Sequence, residues 1–183
     1  MKVKRYLLRS TAFILLLVSV RFLYTNYINP KSPKGLAEYI NDDIRLLVEY
    51  SRPSKKGRLI FGAKKDNALV PFGDYWRLGA NKATTLTTNR ALVVETENLL
   101  PAGKYRLYAI PHANYWDVVL HNQPEGSGAT IPDPAGDLFD LQIKTIPLDQ
   151  PVEQFTIDFV PKDSLVSLRF RWDKTSVSIP IQF

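Results

Sequence analysis

The stretch "FTIDFVPKDSLVSLRFRWDKTSVSIPIQF", Phe155 to Phe183, alternates apolar and polar residues with a period of two. Phe155, Ile157 and Phe159 are separated by Thr156 and Asp158, and Leu168, Phe170 and Trp172 by Arg169 and Arg171. Side chains on a strand point alternately to its two faces, so this pattern places one face on a core and the other in solvent. Val177, Ile179 and Ile181 carry the alternation to the end of the stretch. Pro180 cannot donate to a strand ladder and is expected at an edge or a bulge.

Working backwards, Ile44, Leu46, Val48 and Tyr50 alternate with Arg45, Leu47, Glu49 and Ser51. Comparable runs occupy 83–88, 91–95, 104–110, 115–121, 138–146 and 152–159, and the C-terminal stretch divides into 165–173 and 176–183. That makes about nine strands. Pro101-Ala102-Gly103, Pro124-Glu125-Gly126 and Pro132-Asp133-Pro134 are turn signals between them, and after the N-terminal run no segment keeps a helical period for ten residues. The expected fold is all-β, a single β-sandwich or partly open barrel over 36–183, entered through a linker at 29–35 whose composition is "NPKSPKG".

The beginning of the chain, "MKVKRYLLRSTAFILLLVSVRFLYTNYINP", has a different character: basic residues precede an uncharged apolar run from Ser10 to Val20. This is the form of an export segment. Counting from Tyr6 to Ile28, with Arg9 and Arg21 near the ends and Tyr24 and Tyr27 suited to an interface, gives enough length for a transmembrane helix. The residues Val18, Ser19, Val20 and Arg21 match a cleavage site poorly, which favours an uncleaved signal anchor over 1–28. The expectation is a single-pass protein held in the lipid bilayer, its N-terminus cytoplasmic by the positive-inside bias and its C-terminal domain periplasmic or extracellular.

Five of the six net positive charges belong to that segment, because Lys2, Lys4, Arg5, Arg9 and Arg21 lie there without an acid. Taking those five from the 24 basic residues leaves 19 against 18 acidic ones, so the domain is nearly neutral and no nucleic-acid partner is expected. Cysteine is absent, which excludes disulfides, thiolate nucleophiles and Cys-ligated zinc. Charge is nonetheless uneven along the domain: 51–90 carries nine basic residues and two acids, whereas Gln123 to Asp163 carries eight acids and two lysines.

Three motifs stand out: "YSRPSKKGRLIFG" at Tyr50 to Gly62, "LVPFGDYWRLGANKATTL" at Leu69 to Leu86 and "LLPAGKYRLYAIP" at Leu99 to Pro111, with "FTIDF" following at Phe155. Together they resemble the domain-of-unknown-function family numbered 2911, over roughly Ser32 to Phe183. The resemblance implies an exported β-rich domain and no assigned activity. The chain departs from the family pattern at Phe72, where tyrosine is usual, so no polar role is expected there.

Within these motifs the candidate ligand-binding residues are Arg52, Lys56, Arg58, Trp76, Arg77 and Asn81. Guanidinium forks bind carboxylate or phosphate, an indole offers a stacking face, and an Asn amide both donates and accepts. Such a set suits a small anion or an acidic sugar. The competing structural reading has Arg52 and Arg77 satisfying loop carbonyls and Trp76 plugging the end of the sandwich.

No catalytic residues, metal site or cofactor are expected. His112 and His121 are the two histidines and could face each other across a hairpin beside Asp117, but no G-x-S-x-G, H-E-x-x-H or phosphate loop occurs. The expected role is therefore a binding module for a small anionic or sugar-like ligand or an envelope protein partner. A scaffold without a ligand is the alternative. Hydrolysis, with Asp74, Asp117 or His112 as the acid or base, comes third.

Overall fold

The computed structural model describes residues 2–25, 30–162 and 165–183, and the expectations placed on residues 26–29 and on Asp163 fall outside that range. The chain divides into two compact units, Met1–Pro33 and Lys34–Phe183.

In the first unit the apolar run forms helix α1, Lys2–Leu23. Among its described side chains, Phe13, Leu15, Leu17 and Phe22 are each more than half exposed. Among the described residues no helix is long and apolar enough to cross a membrane. The reason lies in the flanks: the uncharged stretch between Arg9 and Arg21 rises only about 16 Å at 1.5 Å per residue, against roughly 30 Å of bilayer hydrocarbon. The transmembrane helix expected here is thus not supported, although the helix itself forms.

The described residues of the second unit form twelve strands: β1 Lys34–Asn41, β2 Ile44–Ser51, β3 Phe61–Gly62, β4 Val70–Pro71, β5 Thr84–Thr88, β6 Leu92–Val94, β7 Asn98–Leu100, β8 Gly103–Pro111, β9 Tyr115–His121, β10 Asp137–Lys144, β11 Ile146–Lys162 and β12 Leu165–Gln182. One sheet has the order β1-β2-β5-β8-β9-β10, a second β11-β12-β6-β7, and β3-β4 form a short parallel pair. The sheets do not close into a barrel, and the fold is β-sandwich-like.

Of the residues read as inward, Leu46, Val48, Phe155, Ile157, Leu168, Phe170 and Trp172 lie in the core, whereas Phe159 is only partly buried. Leu46 and Val48 of β2, Leu107 of β8 and Trp116, Val118 and Leu120 of β9 meet Phe155 and Ile157 of β11 and Leu168, Phe170 and Trp172 of β12. Each such side chain contributes about 1.5–3 kcal/mol by leaving water.

Differences from the sequence expectation have local causes. Strand β1 lies partly in the predicted linker and has little alternation to reveal it, because it is an edge strand with Leu36 and Ile40 exposed and Ala37 buried. The two predicted C-terminal strands are one, β12, which continues through a bulge where Asp173 takes φ +50° and the β11 register shifts. Pro180 falls beyond the last β11 partner of β12, Ser176, so its missing N–H forfeits no bond there, and its carbonyl accepts from Glu95 N–H at 2.8 Å.

Candidate functional site

The segment after β2 crosses from one sheet to the other. The Tyr50 hydroxyl reaches Ile157, Pro53 O accepts from Phe155 N–H at 2.9 Å, Ser54 bridges to Gln154, and Lys55 N–H donates to Glu153 O at 2.7 Å. Successive residues of "YSRPSK" therefore pair with successive residues of β11 in reverse order. This covers the free edge of β11, which would otherwise present unpaired N–H and C=O groups.

Arg52 belongs to that seam. Its Nε donates to Phe155 O at 3.3 Å and its Nη2 to Thr156 Oγ1 at 3.1 Å, while its own carbonyl accepts from Gln154 Nε2 at 3.1 Å. Arg58 turns back on the same loop, donating to Lys55 O at 2.9 Å and to Ser54 O. Lys55 pairs with Asp173 at the β12 bulge. Lys56 is exposed, takes φ +49°, and donates its backbone N–H to Glu153 Oε1 at 2.9 Å.

The second motif folds elsewhere. Trp76 exchanges backbone bonds with Ala109 at 2.8 Å in both directions, extending the pairing of β8 beyond its partner β5. Its indole enters the core, stacked on Trp172 at 5.8 Å and edge-on to Trp116 at 5.3 Å, with Nε1 donating to Gly79 O at 3.3 Å. Arg77 Nη1 donates to Asn81 O at 3.3 Å, and Asn81 takes φ +61° in an exposed turn. That turn packs on β2: a Cβ on Gly79, whose φ is +146°, would lie 2.7 Å from Ser51 O.

The six predicted residues thus occupy three places. Arg52, Lys56 and Arg58 belong to the seam on β11, Trp76 to the core, and Arg77 with Asn81 to the turn that meets Gly128. The histidines sit at opposite ends of the hairpin. His112 Nε2 contacts Asp117 Oδ2 at 2.9 Å, while fully buried His121 bonds Asp133 O at 3.0 Å and accepts from Gln123 N–H at Nδ1. Among the described residues no group of three His, Asp or Glu could hold a metal ion.

A different polar group emerges on the outward face of the six-stranded sheet. The connection between β9 and β10, residues 122–136, folds back over that face, so Arg106, Tyr108, Val119 and His121 are all buried although they point away from the core. Arg106 Nη2 donates to Tyr75 Oη and Thr130 O, both at 2.6 Å, and to Ser127 O at 3.4 Å. Tyr75 in turn donates to Gly128 O at 3.0 Å and packs on Tyr108 with ring centres 5.3 Å apart. Tyr108 donates to Asp137 Oδ2 at 2.8 Å. Burial first, then the hydrogen bond and charge of Asp137, hold the Tyr108 hydroxyl protonated well above the usual tyrosine range. Burial, reinforced by the neighbouring Asp117 and Asp137 charges, raises the Asp140 carboxyl.

Sequence reasoning passed over Arg106 because it occupies the polar phase of β8. The available signal was the run "LYAIP" with Tyr108 and Ile110 on that same phase, which is too apolar for a face left to water.

A β-sandwich-like domain with a roofed polar layer on one sheet is thus the class of protein defined by the fold. The family described as protein of unknown function (DUF2911) matches residues 32–181, and the chain belongs to it. No match was found among the curated proteins or the solved structures compared.

Proposed function

We propose that this chain is a cell-envelope protein whose N-terminal segment delivers the domain to a membrane and whose domain acts there by binding a small polar ligand. The observation that carries the binding reading is the roofed outward face. A sheet face that merely met solvent would carry exposed polar residues, whereas here Arg106, Tyr75, Tyr108 and Asp137 are gathered beneath the 122–136 connection. Binding sites are commonly concave, with apolar walls and a few convergent polar groups.

Helix α1 supports delivery to a membrane. Its uncharged run is eleven residues long, within the length of a signal h-region, and the apolar side chains described in that run are exposed. Such a helix is stable against an apolar medium or an export machine and unfavourable in water.

Two measurements test the reading. Fractionation of cells expressing the chain with a C-terminal tag should place it in the envelope, and deletion of residues 1–29 should leave it in the cytoplasm; an unchanged distribution would sink the delivery. Thermal-shift screening of the full chain against neutral sugars, amines and small anions should find at least one stabilising class, and a flat response to all three would refute the binding role.

A further inference from the structure

Arg106 is 4% exposed, and its guanidinium carries a permanent charge. Three acceptors surround its Nη2, and all are neutral: the Tyr75 hydroxyl and the Ser127 and Thr130 carbonyls. Nε is buried without a hydrogen-bond partner. Nη1 makes no hydrogen bond among the described residues, and none of their carboxylates forms an ion pair with Arg106. A buried cation of this kind is costly unless a counter-charge meets it, and neutral dipoles supply only part of that compensation.

The backbone of Gly126 lies on the Nη1 side of this charge. Nη1 is the atom nearest to where a Cβ on Gly126 would sit, at 4.0 Å, and Gly126 takes φ +115°. Glycine thus leaves the space in front of Nη1 free of side chain, in a backbone conformation that other residues rarely adopt.

We infer that the Arg106 guanidinium anchors the carboxylate group of a small-molecule ligand, which enters beside Gly126. The inference deepens the binding role above by naming the ligand class and the seat. A singly charged carboxylate fits better than a phosphate dianion because the same sheet face carries Asp137, Asp140 and Asp117, whose negative charges reinforce one another at Asp140. Repulsion from these carboxylates grows with the charge of the ligand. The Tyr75 and Tyr108 rings, packed at 5.3 Å, provide apolar surface for the body of the ligand.

The test uses the full chain labelled with 15N-arginine and titrated with sodium acetate, sodium glucuronate, inorganic phosphate and sodium chloride. Acetate or glucuronate should shift the Arg106 side-chain resonances and raise Tm, while chloride does neither. Arg106→Lys should weaken the response at least about tenfold, since it keeps the charge but loses the planar fork, whereas Arg52→Lys and Arg77→Lys should leave it unchanged. Should Arg106→Lys fail to fold, the wild-type resonances, assigned through contact with the Tyr75 ring, still decide. A response to phosphate alone overturns the carboxylate class. Loss of the response in Arg52→Lys or Arg77→Lys with Arg106 unmoved overturns the seat and leaves the binding role standing. No response to any anion up to about 50 mM, with a neutral sugar or an amine still stabilising the chain, overturns this inference alone.

Discussion

The Tyr50 hydroxyl donates to the carbonyl of Ile157 at 3.2 Å and accepts from the N–H of that same residue at 3.0 Å. One side chain from β2 thereby satisfies both backbone groups of a β11 residue in the opposite sheet, at a point where β11 has no strand beside it on that edge. The ring packs edge-on against Phe155 at 5.8 Å. Polar and apolar contacts between the sheets thus converge on a single tyrosine.

Tyr50→Phe keeps the ring and removes both bonds. Two buried backbone groups of Ile157 would lose their partner, and the expected cost is about 1–3 kcal/mol. Urea denaturation should show a lower midpoint with an unchanged slope. A midpoint equal to that of the wild type would mean that the seam contributes nothing at this position.

Arg52→Ala should lower stability by about 1–2 kcal/mol, since it strips donors from two acceptors on β11, Phe155 O and Thr156 Oγ1, neither of which is charged. The larger loss that follows from stranding a buried carboxylate is not expected. Thermal unfolding of Arg52→Ala beside Arg52→Lys checks this; lysine should recover part of the loss by keeping one donor.

Gly79→Ala should be more damaging than either change. The added Cβ would lie 2.7 Å from Ser51 O, a backbone atom, and φ is +146°. Steric overlap and backbone strain together should cost about 2 kcal/mol or more. Calorimetry showing a Tm within a degree of wild type would contradict the close approach of this turn to β2.

Asp158 links stability to acid. Burial alone would raise its carboxyl, but hydrogen bonds from Arg169 and Arg171 and their charges outweigh burial and hold it below the ordinary carboxylate value. A depressed carboxyl stabilises the fold above its unfolded pKa of about 3.9, and that contribution is lost as pH falls through the lower folded value. Denaturation of wild type and Asp158→Asn should therefore differ near pH 6 and converge progressively below pH of about 4. A constant difference across that range would remove Asp158 as the linked group.

The alternation in Phe155 to Phe183 and in Ile44 to Tyr50 was enough to mark these stretches as strand and to name most of their inward residues, although it divided β12 in two, because strand periodicity is written in neighbouring residues and a bulge interrupts it. The family motifs were legible for the same local reason. The placement of Arg52 was not, since its partners lie more than 100 residues away on β11 and only the packing of the two sheets brings them within 3.3 Å. Arg106 shows the limit most plainly. On β8 it occupies the polar phase of the strand, which by sequence alone faces water. What buries it is the return of residues 122–136 over that face, a contact between segments with no shared periodicity, so its burial and its missing counter-charge exist only in the tertiary structure.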